Sequence, residues 1–161
     1  MKPLLIFSII LSLTINAWAE DRFVPCQRFG GIKQCISVPL AERADDAAAK
    51  KFQPSIGNAR VYVVRPYMTE PQKKSEVFLD GQCAAEIAPA TYVVLNMNPG
   101  AHRIRVHTDQ DADVSLNVAA GGLYYVKYQL NLLFNTVHGE LTILDDQRGE
   151  SQILKSKLIQ S

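Results

Sequence analysis

From residue 59 onward the chain breaks into short runs of β-branched and aromatic residues, each closed by residues that turn a backbone. Val61-Tyr62-Val63-Val64 ends at Arg65-Pro66, and a polar stretch follows as far as Ser75. Residues 76–79 meet Asp80-Gly81, a strong hairpin signal, and continue through 82–87. Residues 91–95 are turned by Asn96-Met97-Asn98-Pro99-Gly100, after which 102–108 and 114–118 alternate polar and apolar side chains. Gly121-Gly122 leads into 123–130, and a last run covers 140–144. A row of about eight short strands with frequent turns favours an antiparallel sandwich over alternating βαβ units. The expected fold is mostly β: an antiparallel β-sandwich, immunoglobulin-like or prealbumin-like, with an N-terminal and a C-terminal helix packed alongside.

Helix signals flank these runs. Pro39 opens an alanine-rich stretch with acids early and lysines late, as a helix dipole prefers, which predicts a helix over 39–52. Asp145-Asp146 can cap a second helix running to about Leu158. Upstream, Lys2, an apolar run over 4–15 and Ala17-Trp18-Ala19 have the layout of a cleavable secretory signal, with cleavage expected between Ala19 and Glu20. The apolar run is short for a membrane span, for which about 20 residues are needed. Cys26 follows Val24-Pro25, not a small residue at the cleavage point, so lipid attachment is not expected. The domain reading is therefore a signal over 1–19, a cysteine-stapled segment over 20–38 and one sandwich domain over 39–161.

The predicted compartment is periplasmic or extracellular, and there the three cysteines invite pairing. Cys26 and Cys35 flank Gly30-Gly31, which can turn the chain back, so these two are expected to form a disulfide. Cys83 is left free, as a small, half-buried strand residue. The 17 basic and 16 acidic residues balance once Lys2 is removed. A neutral chain has no global pull toward nucleic acid or an anionic membrane, and no later apolar run suits a span.

Several segments together resemble an uncharacterised bacterial family, domain of unknown function 2846. They are 47–54, Gly57-Asn58-Ala59-Arg60-Val61-Tyr62-Val63-Val64-Arg65-Pro66, Val77-Phe78-Leu79-Asp80-Gly81, Tyr92, Pro99-Gly100-Ala101-His102 and Gly122-Leu123-Tyr124-Tyr125-Val126. The resemblance covers roughly residues 44–158. It implies an exported β-sandwich, with many relatives being lipoproteins of the cell envelope, and it supplies no catalytic residues. Fold analogy alone does not supply a function either.

Chemical motifs are sparse. His102 and His107 lie five apart on one predicted strand and so on opposite faces, where they cannot share a metal. Asp109-Gln110-Asp111-Ala112-Asp113 resembles the start of a calcium loop, but Val114 and Ala120 stand where glycine and glutamate belong, leaving an acidic hairpin tip. There is no nucleophile elbow around a serine and no phosphate loop. No catalytic, cofactor or metal residues are assigned, and no cofactor is expected. Leu132-Leu133-Phe134 near a turn reads as a core return or an exposed patch.

A partner surface can be placed if 102–108, 114–118 and 123–130 form a meander. Arg105, Ser115 and Lys127 then line up, with Arg103, Asn117 and Tyr125 in the next row. The candidate surface is Arg103, Arg105, Tyr125 and Lys127, suited to an anionic or sugar-containing envelope polymer or to an acidic protein. The expected role is a non-catalytic binding or accessory module of the cell envelope, with a cryptic hydrolytic enzyme as the alternative.

Overall fold

The computed structural model describes residues 22–133 and 136–161. The expected secretory signal and the expected Ala19–Glu20 cleavage point lie outside the described residues.

The cysteine-stapled segment contains a small hairpin, β1 (Gln27–Phe29) with β2 (Ile32–Gln34), and Cys26 is bonded to Cys35 at its base. Gly30 and Gly31 both take positive φ there, the conformation that glycine adopts without strain. Helix α1 (Arg43–Ala49) follows. It is shorter than its alanine-rich sequence predicts, because Pro39 and Leu40 are drawn into bridges with Phe23 and Ile159.

Eight strands then run in order: β3 (Ala59–Arg65), β4 (Ser75–Leu79), β5 (Gln82–Ile87), β6 (Thr91–Met97), β7 (Gly100–His107), β8 (Asp111–Val118), β9 (Leu123–Leu133) and β10 (Thr136–Leu144). Helix α2 (Asp146–Leu154) and a short β11 (Lys157–Leu158) complete the chain. The predicted helix to Leu158 stops early, and its last residues pair parallel to β6 instead. Asp145 caps α2 by accepting from the Arg148 N–H at 2.8 Å.

The strands form two larger sheets. One is five-stranded and mixed, in the order β10-β9-β3-β6-β11, with β3 parallel to β9. The other is four-stranded and antiparallel, in the order β5-β4-β7-β8. The mixed sheet departs from the all-antiparallel expectation. Their facing sides share one core: Val61, Val63, Val93 and Val126 from the first, Val77, Ile104, Val106 and Leu116 from the second. The opposite side of the five-stranded sheet is buried too. Tyr62, Tyr92 and Tyr125 cluster there with Phe52 and Ile153. The Tyr62 hydroxyl donates to the Ala49 carbonyl (2.9 Å) and that of Tyr92 to Asp46 Oδ1 (2.8 Å), so α1 is tied to the sheet through tyrosines. A strand buried on both faces reads as a continuous apolar run, which explains Val61-Tyr62-Val63-Val64.

The hairpin between β4 and β5 turns on Asp80 (φ 50°) and Gly81 (φ 87°), as its sequence predicts for a two-residue turn. Cys83 is unbonded and exposed on β5, not half-buried. Leu132 is 61% exposed near the end of β9, while the Leu133 side chain and Phe134 lie outside the described residues.

Candidate partner surface

The meander predicted for β7, β8 and β9 does not form. β7 pairs with β8, but β9 joins the five-stranded sheet. The β8–β9 connection is a crossover and not a hairpin: the Gly121 N–H donates to the Asn58 carbonyl (2.9 Å) and the Arg60 N–H to the Gly122 carbonyl (2.9 Å). These bonds deliver β9 alongside β3. The candidate surface is thereby split in two. Tyr125 is 1% exposed, its ring stacked on Tyr62 at 5.3 Å. Lys127 lies on the same sheet, its Nζ 5.9 Å from the Tyr67 ring centre and donating to Gln129 Oε1 at 3.1 Å. Only Arg103 and Arg105 remain together.

Those two arginines project from the outer face of the four-stranded sheet, where strand alternation sends Arg103, Arg105 and His107 away from the buried Ile104 and Val106. The register sets Arg103 opposite Ser115, Arg105 opposite Asp113 and His107 opposite Asp111. This is shifted by one neighbour from the predicted row of Arg105 with Ser115, and the shift brings in β8's aspartates. Arg103 Nε sits 2.9 Å from Asp113 Oδ1, Arg105 Nη1 3.5 Å from Asp111 Oδ2, and His107 Nδ1 2.7 Å from Asp111 Oδ1.

On the other flank β4 supplies Glu76 opposite His107 and Phe78 opposite Arg105. The Arg105 guanidinium lies 4.4 Å from the centre of the Phe78 ring, a cation–π stack. Beyond β4, Glu86 of β5 stands opposite Glu76 and is paired with Lys74 at 2.6 Å. Lys73 pairs with Asp109, which holds its ammonium above the usual lysine range. An open groove of about 520 Å³ runs between these strands, lined by Glu76, Phe78, Arg105, His107, Asp109, Gln110 and Asp111. Glu76 is half-buried in it and has no hydrogen-bond or ion-pair partner among the described residues.

The loop bordering the groove is fixed from beneath. Arg65, 1% exposed at the end of β3, donates to the carbonyls of Lys73 (2.6 Å), Thr69 (2.7 Å) and Glu70 (2.9 Å) and to Ser75 Oγ (3.2 Å). Burial pulls its guanidinium down to about 10. Ser75 Oγ, Thr108 Oγ1 and the Tyr128 hydroxyl continue the network at 2.6 and 2.8 Å, reaching across both sheets.

Among the described residues no group of three or more His, Cys, Asp or Glu side chains is placed to hold a metal ion. The aspartates of the calcium-like stretch are engaged instead by Lys73, His107 and Arg103. His102 holds Asp80 at 2.7 Å, on the opposite side of β7 from His107, as the odd spacing predicts. Sequence reasoning missed Glu76, Phe78 and Arg65. The Asp80-Gly81 turn locates β4, but nothing local says that β4 will lie against β7.

The result is a mostly β protein of two sheets around a common core, with a charged, grooved outer face. Residues 55–154 match the family described as protein of unknown function (DUF2846), and the chain belongs to that family. The match spans β3 through α2 and leaves out residues 47–54, on which part of the resemblance rested. No curated protein matches the chain.

Proposed function

We propose that this protein is an exported, non-catalytic binding or accessory module of the bacterial cell envelope. It is a periplasmic or secreted β-sandwich of immunoglobulin-like or prealbumin-like type. The observation that carries the reading is the groove on the outer face of the four-stranded sheet, open to solvent and lined with mixed charge around Phe78. Such a surface suits a partner better than it suits an enclosed reaction, which needs water excluded. One further feature agrees with an oxidising compartment. The Cys26–Cys35 disulfide staples the N-terminal hairpin. Among the described residues, no helix is long and apolar enough to cross a membrane.

The test is affinity capture from envelope extract with tagged protein, wild type against the double variant Phe78→Ala, Arg105→Ala. We expect a partner captured by the wild type to be lost from the variant while its melting temperature shows a folded chain. Equal capture by a folded variant removes this face from the proposal.

A further inference from the structure

We infer that the outer face of β9 and β10 binds a neutral saccharide chain carrying acetamido groups. This goes beyond the role proposed for the groove and uses the other sheet, so either reading can fail without the other.

Along β9, Val126, Tyr128 and Leu130 face the core, and Lys127, Gln129 and Asn131 alternate with them on the outer face. Further back on that outer face Tyr125 lies under α2, and past it the face turns polar. β10 sets Thr142, Glu140 and His138 opposite the three polar residues, so two polar rows run side by side. Their side chains are joined in sequence. Lys127 Nζ donates to Gln129 Oε1 (3.1 Å), Gln129 Nε2 to Asn131 Oδ1 (2.7 Å) and Asn131 Nδ2 to Glu140 Oε2 (3.2 Å). A cation at one end and a carboxylate at the other fix which way each amide points. The three β9 residues are half-buried, so this ladder is held against the sheet. An amide side chain has two N–H donors, and the ladder uses one from each. The second N–H of Gln129 and that of Asn131, about 7 Å apart along the strand, have no acceptor among the described residues.

Tyr67 stands at the Lys127 end of the ladder. It is 45% exposed, and its ring centre lies 5.9 Å from Lys127 Nζ. Its loop is anchored from beneath, where Arg65 donates to the carbonyls of Thr69, Glu70 and Lys73. An exposed aromatic on an anchored loop loses little freedom on binding and keeps most of its contact energy.

These features select the ligand. Lys127 and Glu140 cancel in charge, and the ladder engages both, so an ionic ligand would have to break one of its ends. A neutral acceptor takes the spare N–H groups and leaves the ladder intact. An acetamido carbonyl is such an acceptor, and a saccharide chain can repeat it from ring to ring. The apolar C–H face of a sugar ring can also lie on an aromatic side chain such as Tyr67. A peptide strand repeats carbonyls too, but strands are recognised by unpaired backbone at a sheet edge, whereas this surface offers side chains on a sheet face.

The experiment titrates isotope-labelled exported protein with the tetramer of N-acetylglucosamine and follows backbone amide shifts by NMR. Shifts should centre on Tyr67, Gln129 and Asn131, and the affinity should not change as salt is raised. Tyr67→Ala should weaken binding about tenfold. Gln129→Met, of similar length but with no N–H, should weaken it about fivefold. The deacetylated tetramer, a polycation, should bind less well. The groove variant Phe78→Ala, Arg105→Ala should bind the acetylated tetramer as the wild type does.

Absence of shifts with the acetylated tetramer overturns the inference, as does wild-type affinity in folded Tyr67→Ala and Gln129→Met. Tighter binding of the deacetylated tetramer, falling with salt, overturns it by showing that charge selects the ligand. Shifts centred on Phe78 and Arg105 and lost in the groove variant overturn it as well, while supporting the role proposed for the groove.

Discussion

His102 faces two acceptors at once: Nδ1 lies 2.7 Å from Asp80 Oδ2 and Nε2 lies 2.8 Å from the Asn98 carbonyl. A neutral imidazole can donate to only one of them, so both bonds are satisfied by the imidazolium. Its pKa is accordingly raised, first by the bond to Asp80 and then by that to Asn98. Asp80 is lowered, first by the Arg103 N–H and then by His102. The signs fix a pH window. A raised histidine contributes fully below its unfolded value, about 6.5, and loses the contribution as pH rises through the folded value. A lowered aspartate contributes above its unfolded value, about 3.9, and loses it as pH falls. The pair therefore supports the fold most between about pH 4 and 6.5. The melting-temperature gap between wild type and His102→Gln should be widest near about pH 5.5 and narrow toward about pH 9. A gap independent of pH would show that His102 acts by shape alone. Arg65 makes a second prediction at this scale. Replacing it by Met removes four donated bonds from a buried position and should cost about 3 kcal/mol or more. Hydrogen exchange should then accelerate first across residues 66–74, and uniform acceleration over the whole chain would contradict a local anchoring role.

Elements differ in how much of them the sequence reveals, and β9 shows why. Its alternation is plain: Val126, Tyr128 and Leu130 face the core, and Tyr125 and Lys127 face the other way. Its neighbours are not. A strand beside β8 and a strand in the facing sheet both point their apolar side chains into one core, so hydrophobic pattern cannot tell these arrangements apart. The turn at Asp80-Gly81 is legible because two positive-φ residues specify one hairpin, whereas Gly121-Gly122 serves a crossover. That ambiguity is why the sequence pattern sets Arg103 and Arg105 beside Tyr125 and Lys127, and why it does not reveal their aspartate partners. Helix α2 carries a test of the observed packing. A Cβ on Gly149 would stand 2.1 Å from Tyr125 Cγ, so this glycine lets the helix lie directly on the sheet. Alanine is the better helix former by about 1 kcal/mol, yet Gly149→Ala should destabilise the protein by about 1–3 kcal/mol through overpacking. Urea denaturation measures the sign. A more stable variant would mean that α2 does not seat against Tyr125.

At the scale of the whole molecule, the family match begins at residue 55, but the core does not. Val24, Ile36 and Val38 from the N-terminal segment belong to the same cluster as the valines of both sheets, and Val38 is fully buried. Backbone bonds hold the segment there: Val24 N–H to the Val38 carbonyl (3.0 Å), Ala41 N–H to Leu158 (3.0 Å) and Gln160 N–H to Pro39 (2.9 Å). The segment thus continues the edge of the five-stranded sheet past β11, covering backbone that would otherwise be an open strand edge. The Cys26–Cys35 bridge closes the hairpin within this cover, and the loop it removes from the unfolded chain corresponds to about 2–3 kcal/mol. Two outcomes follow in order of severity. Cys26→Ala, Cys35→Ala should fold and melt at a lower temperature, since the valines still reach the core. A chain beginning at residue 55 should bind a hydrophobic dye and self-associate, because it lacks the side chains that close the core and the strand that covers the edge. Sedimentation with and without residues 22–54 measures this. A monomeric, dye-silent fragment would show that the family-matched strands close their own core, and that the stapled segment is an addition to a finished fold.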